Sequence, residues 1–183
     1  DVKSKLASSS LYFYGKNGTQ KTTVANWIGY EFLRHGKSVY YCLMNDLIKM
    51  LYKADKDDEV MAKVEKILNI DLLIIDESFD TEKVAMYSNM FQATLLDSFL
   101  RNRLQSKNRG IIFISNIDLD SITDKDYITA YGEKRKSAFC NCTSLQDLVQ
   151  RNVKLCKGNL EFKDNYLNTI NNQGILDAID DLF

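Results

Sequence analysis

A chain of 183 residues with 45% hydrophobic and 11% aromatic residues carries enough apolar material for one ordinary domain with a buried core. Lys and Arg number 24 against 25 Asp and Glu, a formal net charge of -1, so attraction to nucleic acid would have to come from local patches. No apolar run is long enough to span a bilayer, and Cys42, Cys140, Cys142 and Cys156 lack the paired spacing of a zinc site; they read as reduced thiols in a cytoplasmic protein.

The N-terminal DVKSKLASSS has no hydrophobic signal core and starts with Asp1, as a processed product or a fragment would. The apolar, aromatic run Leu11 to Tyr14 predicts a buried strand ending in glycine. Thr22 to Arg34 carries apolar residues at Val24, Trp27, Ile28, Tyr30 and Phe32, a helix that ends near Gly36. SVYYCL, Ser38 to Leu43, is the second strand. Asn45 is placed to cap a helix containing Leu47, Ile48 and Leu51, and another helix runs from about Glu59 to Leu68.

DLLIIDE, Asp71 to Glu77, is apolar on both faces, as strands of parallel sheets are. Tyr87, Phe91, Leu95 and Phe99 mark a long helix from about Thr81 to Gln105. IIFISN, Ile111 to Asn116, is a fourth strand of the same kind. Further on, the pattern predicts short helices at Ser121 to Tyr127 and Ser144 to Gln150, and strand pieces at Val153 to Cys156 and Leu160 to Phe162. The alternation of strands and helices gives an α/β fold, a three-layer sandwich around a mostly parallel sheet. It reads as one domain over 1–183, with 1–10 a flexible lead-in and 171–183 a C-terminal docking helix.

Three stretches carry chemistry. GKNGTQKTT, Gly15 to Thr23, lies between a strand and a helix, where successive backbone N–H groups and the helix dipole converge on an anion. Gly15 and Gly18 give the turn its freedom. Lys21 is placed to neutralise β- and γ-phosphates, and Thr22 to set its hydroxyl on Mg2+. Asn17, Thr19 and Thr23 complete the loop. Gln20 stands where the pattern G-x-x-x-x-G-K-[ST] asks for glycine; a right-handed helical backbone there would admit any residue and leave only local crowding.

DLLIIDE delivers Asp76 and Glu77 to the C-terminal edge of a parallel sheet, where ligands of open α/β sheets bind. Asp76 would hold the metal, directly or through water, and Glu77 would polarise an attacking water. IIFISN brings Asn116 to the same edge, to orient that water or feel the γ-phosphate.

These stretches resemble the Walker A, Walker B and sensor 1 elements of P-loop AAA+ ATPases, most closely helicase loaders of the DnaC type and their transposition relatives of the IstB type. The resemblance covers Leu11 to about Asn116. It implies an ATPase using ATP and Mg2+ that self-associates into a ring or spiral, binds single-stranded DNA and places a replicative helicase on it during DNA replication. Loaders take an arginine from a neighbouring subunit at the γ-phosphate; Arg151 in SLQDLVQRNVKL resembles it, with Arg135 the other candidate. The alternative is a non-hydrolysing regulator or oligomerisation scaffold of the same fold, including a transposition-type relative. A small-molecule kinase would need an arginine-rich lid.

Two basic stretches, Arg101, Arg103, Lys107 and Arg109, and Lys134 to Lys136, are candidates for phosphate contact or, more simply, solvated helix ends. The tail NQGILDAIDDLF spaces Ile175, Leu176, Ile179, Leu182 and Phe183 along one helical face. Such a face docks on its own core or resembles a sliding-clamp-binding peptide.

Overall fold

The computed structural model describes residues 10–79, 90–106, 108–118 and 153–157, with 90–93 and 153–157 described by backbone alone. In chain order the elements are β1 (Ser10–Tyr14), α1 (Lys21–Arg34), β2 (Val39–Leu43), α2 (Met44–Ala54), α3 (Asp58–Asn69), β3 (Leu72–Asp76), α4 (Met90–Leu104), β4 (Gly110–Ile114) and β5 (Val153–Lys157). The strands form one sheet in the order β2-β3-β4-β1-β5, and every pairing is parallel. The short helices beyond Asn116, the strand piece at 160–162 and the C-terminal helix lie outside the described residues, as do Arg135, Arg151, Lys107 and the first turns of the long helix from Thr81.

Side chains alternate across β1, β3 and β4, so each of these strands feeds two cores. Leu11, Phe13, Leu72, Ile74, Ile112 and Ile114 face α1, where Ala25, Ile28 and Phe32 cover them. Tyr12, Leu73, Ile75, Ile111 and Phe113 face the other way, under α2, α3 and α4. The layers are therefore helix, sheet, helix. Gly29 lets α1 lie close to the sheet, since a Cβ there would stand 3.0 Å from Ile74 Cδ1 and 3.4 Å from Val39 Cγ1.

Local chemistry explains the boundaries. Asp57 caps α3, its Oδ1 accepting from the N–H groups of Glu59 and Val60 at 3.0 and 3.2 Å. Asn45, expected to cap, does not: β2 runs straight into α2, and the buried Met44 begins the helix with extended Leu43 at its cap position. Tyr30, counted among the apolar face of α1, is 58% exposed, and Ala25 and Gly29 take the buried positions instead.

The basic run at the end of α4 also reads differently in three dimensions. Arg103 is wholly buried, on the same face as Leu96, Phe99 and Leu100. Its two terminal nitrogens donate to the carbonyls of Ile67, Leu68, Ile70 and Gly110 at 2.9–3.1 Å, closing the C-terminal end of α3 and the start of β4. Burial pushes its guanidinium down to about 10, so it stays charged at neutral pH. Arg109 donates to Leu68 O, and Arg101 pairs with Asp97 on α4. Arg103 is therefore unable to meet a nucleic-acid phosphate, because it is wholly buried and its terminal nitrogens are held by backbone carbonyls, although its Nε has no hydrogen-bond partner among the described residues.

Candidate nucleotide site

The loop from Gly15 to Gln20 joins β1 to α1 at the C-terminal edge of the sheet, and β1 lies beside β4 there. Gly18 has φ 83, a left-handed backbone suited to glycine, and Gln20 is left-handed as well, with φ 61 and ψ 16. The right-handed helical backbone that would have admitted any residue at Gln20 is therefore not the one adopted. The missing glycine leaves backbone strain, which costs about 1–2 kcal/mol for an L-residue. Its side chain leans toward the outside of α1, where Oε1 accepts from the Thr23 hydroxyl at 2.8 Å.

Lys21 bends back over the loop. Its ammonium donates to Gly15 O, Lys16 O and Thr19 Oγ1 at 2.8, 2.9 and 3.3 Å. Thr19 is buried and its hydroxyl donates to Lys16 O, which stiffens the turn. Burial lowers the Lys21 pKa from the ordinary lysine value, and the Asp76 carboxylate acts in the opposite sense. The loop's own oxygens thus occupy an ammonium that a triphosphate could claim.

Asp76, the last residue of β3, faces the first turn of α1. Its Oδ2 accepts from the hydroxyls of Thr22 at 3.1 Å and Tyr41 at 2.8 Å, and its Oδ1 from the Glu77 N–H at 2.7 Å. Glu77 lies just past the strand with φ 52, and Phe79 follows with φ 57. The turn is held by Ser78, wholly buried, whose N–H donates to Ile114 O and whose hydroxyl donates to Ile75 O, both at 2.8 Å. Phe79 anchors it from below against Tyr12 and Phe113. On the neighbouring strand, the Ser115 N–H donates to Phe13 O, so the stem of Asn116 is tied to β1.

One cavity of about 440 Å³ joins these groups. Asn17, Gly18, Thr19, Gln20, Lys21, Thr22 and Thr23 line one wall, and Tyr41, Leu43, Asp76, Glu77, Ile114, Ser115 and Asn116 the others. Gly15 contributes its carbonyl to Lys21 from just outside. The volume suits a nucleotide-sized ligand. Among the lining residues, Tyr41 is the polar group that the sequence motifs passed over, and Ser78, outside the cavity, is the buried support of the Asp76–Glu77 turn that they also passed over. For Tyr41 the signal was the strand alternation of SVYYCL, which sends Tyr41 to the α1 side with Val39; for Ser78 there was none.

The donor set also suits Mg2+, which dehydrates reluctantly and takes few protein ligands beside phosphate and water oxygens. Thr22 and Asp76 offer a hydroxyl and a carboxylate in contact, and among the described residues there is no cluster of three or more His, Cys, Asp and Glu to form an all-protein cage.

A family model of IstB-like ATP-binding proteins matches residues 7–120. A protein of insertion sequence IS5376 from Geobacillus stearothermophilus, named for ATP binding, is 32% identical over 68 residues, 37% of this chain and 27% of that one. AMPPCP-bound DnaA from Aquifex aeolicus superposes with a TM-score of 0.60 at 15% identity, over 97% of this chain and 53% of that one. The DnaC helicase loader gives 0.55 at 18%, over 85% and 81%. These two likenesses are of fold alone. The chain spans about half of the DnaA structure, and its match takes in about a quarter of the insertion-sequence protein. Among the described residues no helix is long and apolar enough to cross a membrane. The family match covers the strand, loop and helix that build the cavity, and the chain belongs to the IstB-like ATP-binding proteins, on a P-loop fold of the AAA+ type.

Proposed function

We propose that the cavity holds ATP with Mg2+ and that the chain hydrolyses it slowly, using the nucleotide to control assembly on DNA. The observation that carries this reading is the convergence of Lys21, Thr22, Asp76, Glu77 and Asn116 on one cavity, from three separate strand ends. Loop N–H groups and the start of α1 receive the phosphates. Lys21 exchanges its three loop oxygens for phosphate oxygens. Thr22 and Asp76 hold Mg2+, which when bound neutralises charge on the β- and γ-phosphates. Glu77 polarises the attacking water, and Asn116 orients it. Arg151 of a neighbouring copy is the proposed source of the remaining positive charge, which makes turnover depend on assembly into a ring or spiral. Gln20 is the reason for slow turnover, since its strained backbone forms part of the phosphate cradle.

The likeness to the DnaC helicase loader supports helicase loading as the use of this switch, and a DnaA structure of similar fold that holds single-stranded DNA supports that DNA as the track. A second reading, assembly during transposition, is supported by the insertion-sequence relative and the family matched. ATP turnover with and without single-stranded DNA tests the enzyme. Glu77→Gln should retain ATP binding and lose at least about 100-fold in turnover; undiminished turnover would remove Glu77 from the role. Co-purification with a replicative helicase or with a transposase separates the two uses.

A further inference from the structure

Tyr41 has no place in the three motif stretches, yet its hydroxyl lies 2.8 Å from Asp76 Oδ2, closer than the Thr22 hydroxyl at 3.1 Å. The strand register explains the reach. β2 pairs with β3 so that Tyr41 lies opposite Ile74 and Leu43 opposite Asp76, and a long phenol side chain spans the two-residue offset from Ile74 to Asp76. A tyrosine 43% exposed would be free to point its hydroxyl into water, but this one turns it into the cavity.

Asp76 takes three donors, two on Oδ2 and one on Oδ1, so its plane is fixed by groups on three different elements. The Glu77 N–H comes from the residue next in the chain, and the Thr22 hydroxyl belongs to the phosphate loop itself. Tyr41 is the donor that comes from outside the loop and its own strand. Partners of this kind orient metal-holding carboxylates, and losing one typically weakens metal binding by about 10–100-fold.

We infer that Tyr41 is a positioning residue for the cation site: its hydroxyl holds the Asp76 carboxylate turned toward Thr22, so that the pair is preset for Mg2+. The inference rests on the Mg2+-ATP reading above. Tyr41→Phe removes one oxygen from a half-exposed side chain and leaves the ring, so the fold is retained.

The test is calorimetric ATP binding by the wild-type chain and Tyr41→Phe, each in saturating Mg2+ and in EDTA. A Mn2+ titration followed by electron paramagnetic resonance in the presence of ADP serves as a second readout. Tyr41→Phe should reduce the gain in ATP affinity brought by Mg2+ about tenfold and weaken Mn2+ binding similarly, while leaving affinity in EDTA within about twofold. Equal affinities for the two proteins in Mg2+ would overturn the inference. So would an equal loss in Mg2+ and EDTA, because Tyr41 would then touch the nucleotide rather than orient Asp76. A wild-type chain that binds no ATP in either condition would sink the nucleotide reading, and the inference with it.

Discussion

The two edges of the sheet use polar groups in opposite ways. At the N-terminal edge the polar groups turn to other parts of the protein: Asp71 accepts from the Ser38 N–H, the Ser38 hydroxyl and Lys37, the Gly110 N–H donates to Asp71 O, and Arg103 closes four carbonyls with its terminal nitrogens, leaving only its buried Nε without a partner among the described residues. At the C-terminal edge Lys21 is held by oxygens of its own loop, beside an open cavity. Backbone strain follows the same division. Among the described residues four non-glycines have left-handed backbones; Gln20 and Glu77 line the cavity, Phe79 closes the turn that follows Glu77, and the fourth is Asn108, of a type that tolerates it. One edge secures the fold, and the other keeps its groups available to a ligand, at some cost in stability.

Arg103→Met should leave buried carbonyls without donors and lower the free energy of unfolding in urea by about 3 kcal/mol or more. Folded Arg103→Met should still bind ATP as the wild type does. A loss below about 1 kcal/mol would show that the N-terminal edge is not a stabilising network.

Gln20→Gly acts at the other edge and in the other direction. It relieves a left-handed backbone worth about 1–2 kcal/mol and gives back about 0.5–1 kcal/mol through the freer unfolded chain. The net expectation is a gain of between about 0 and about 1.5 kcal/mol in thermal or urea unfolding, with tighter ATP binding. A destabilised variant would mean that the Gln20 to Thr23 hydrogen bond outweighs the strain.

Asp71 gives the smallest effect. Burial alone would raise its pKa, but the hydrogen bonds from Ser38 and Lys37 outweigh it and hold the carboxyl below its usual range. A carboxyl depressed in the folded state stabilises above its unfolded pKa, about 3.9, and this contribution is lost as pH falls through the folded value. Asp71→Asn should therefore lower stability by up to about 1 kcal/mol near neutral pH, a gap that closes below about pH 4. A gap that persisted in acid would place the effect in packing rather than charge.

Much of this molecule was legible in its sequence where periodicity and motif agreed. Leu72 to Asp76 and Gly110 to Ile114 are strands because unbroken runs of branched apolar residues suit burial on both faces, and their ends deliver Asp76 and Asn116 where a parallel sheet binds ligands. Arg103 was hidden by its charge. It continues the three-and-four spacing of Leu96, Phe99 and Leu100, and that spacing was the signal that it faced inward. The angle at Gln20 was hidden by its identity, because only a glycine would have announced a left-handed residue. Strand alternation placed Tyr41 on the α1 side, but its reach to Asp76 depended on the register of β2 against β3, which no local pattern fixes.

The central claim is that the C-terminal edge is a nucleotide site in which Lys21 trades loop oxygens for phosphate. It is tested most directly by calorimetric titration of ATP and Mg2+ into the wild-type chain and Lys21→Ala. The expected result is saturable binding by the wild type and a loss of about 100-fold or more in the variant, with unfolding free energy little changed. Equal affinities in the two proteins would contradict it.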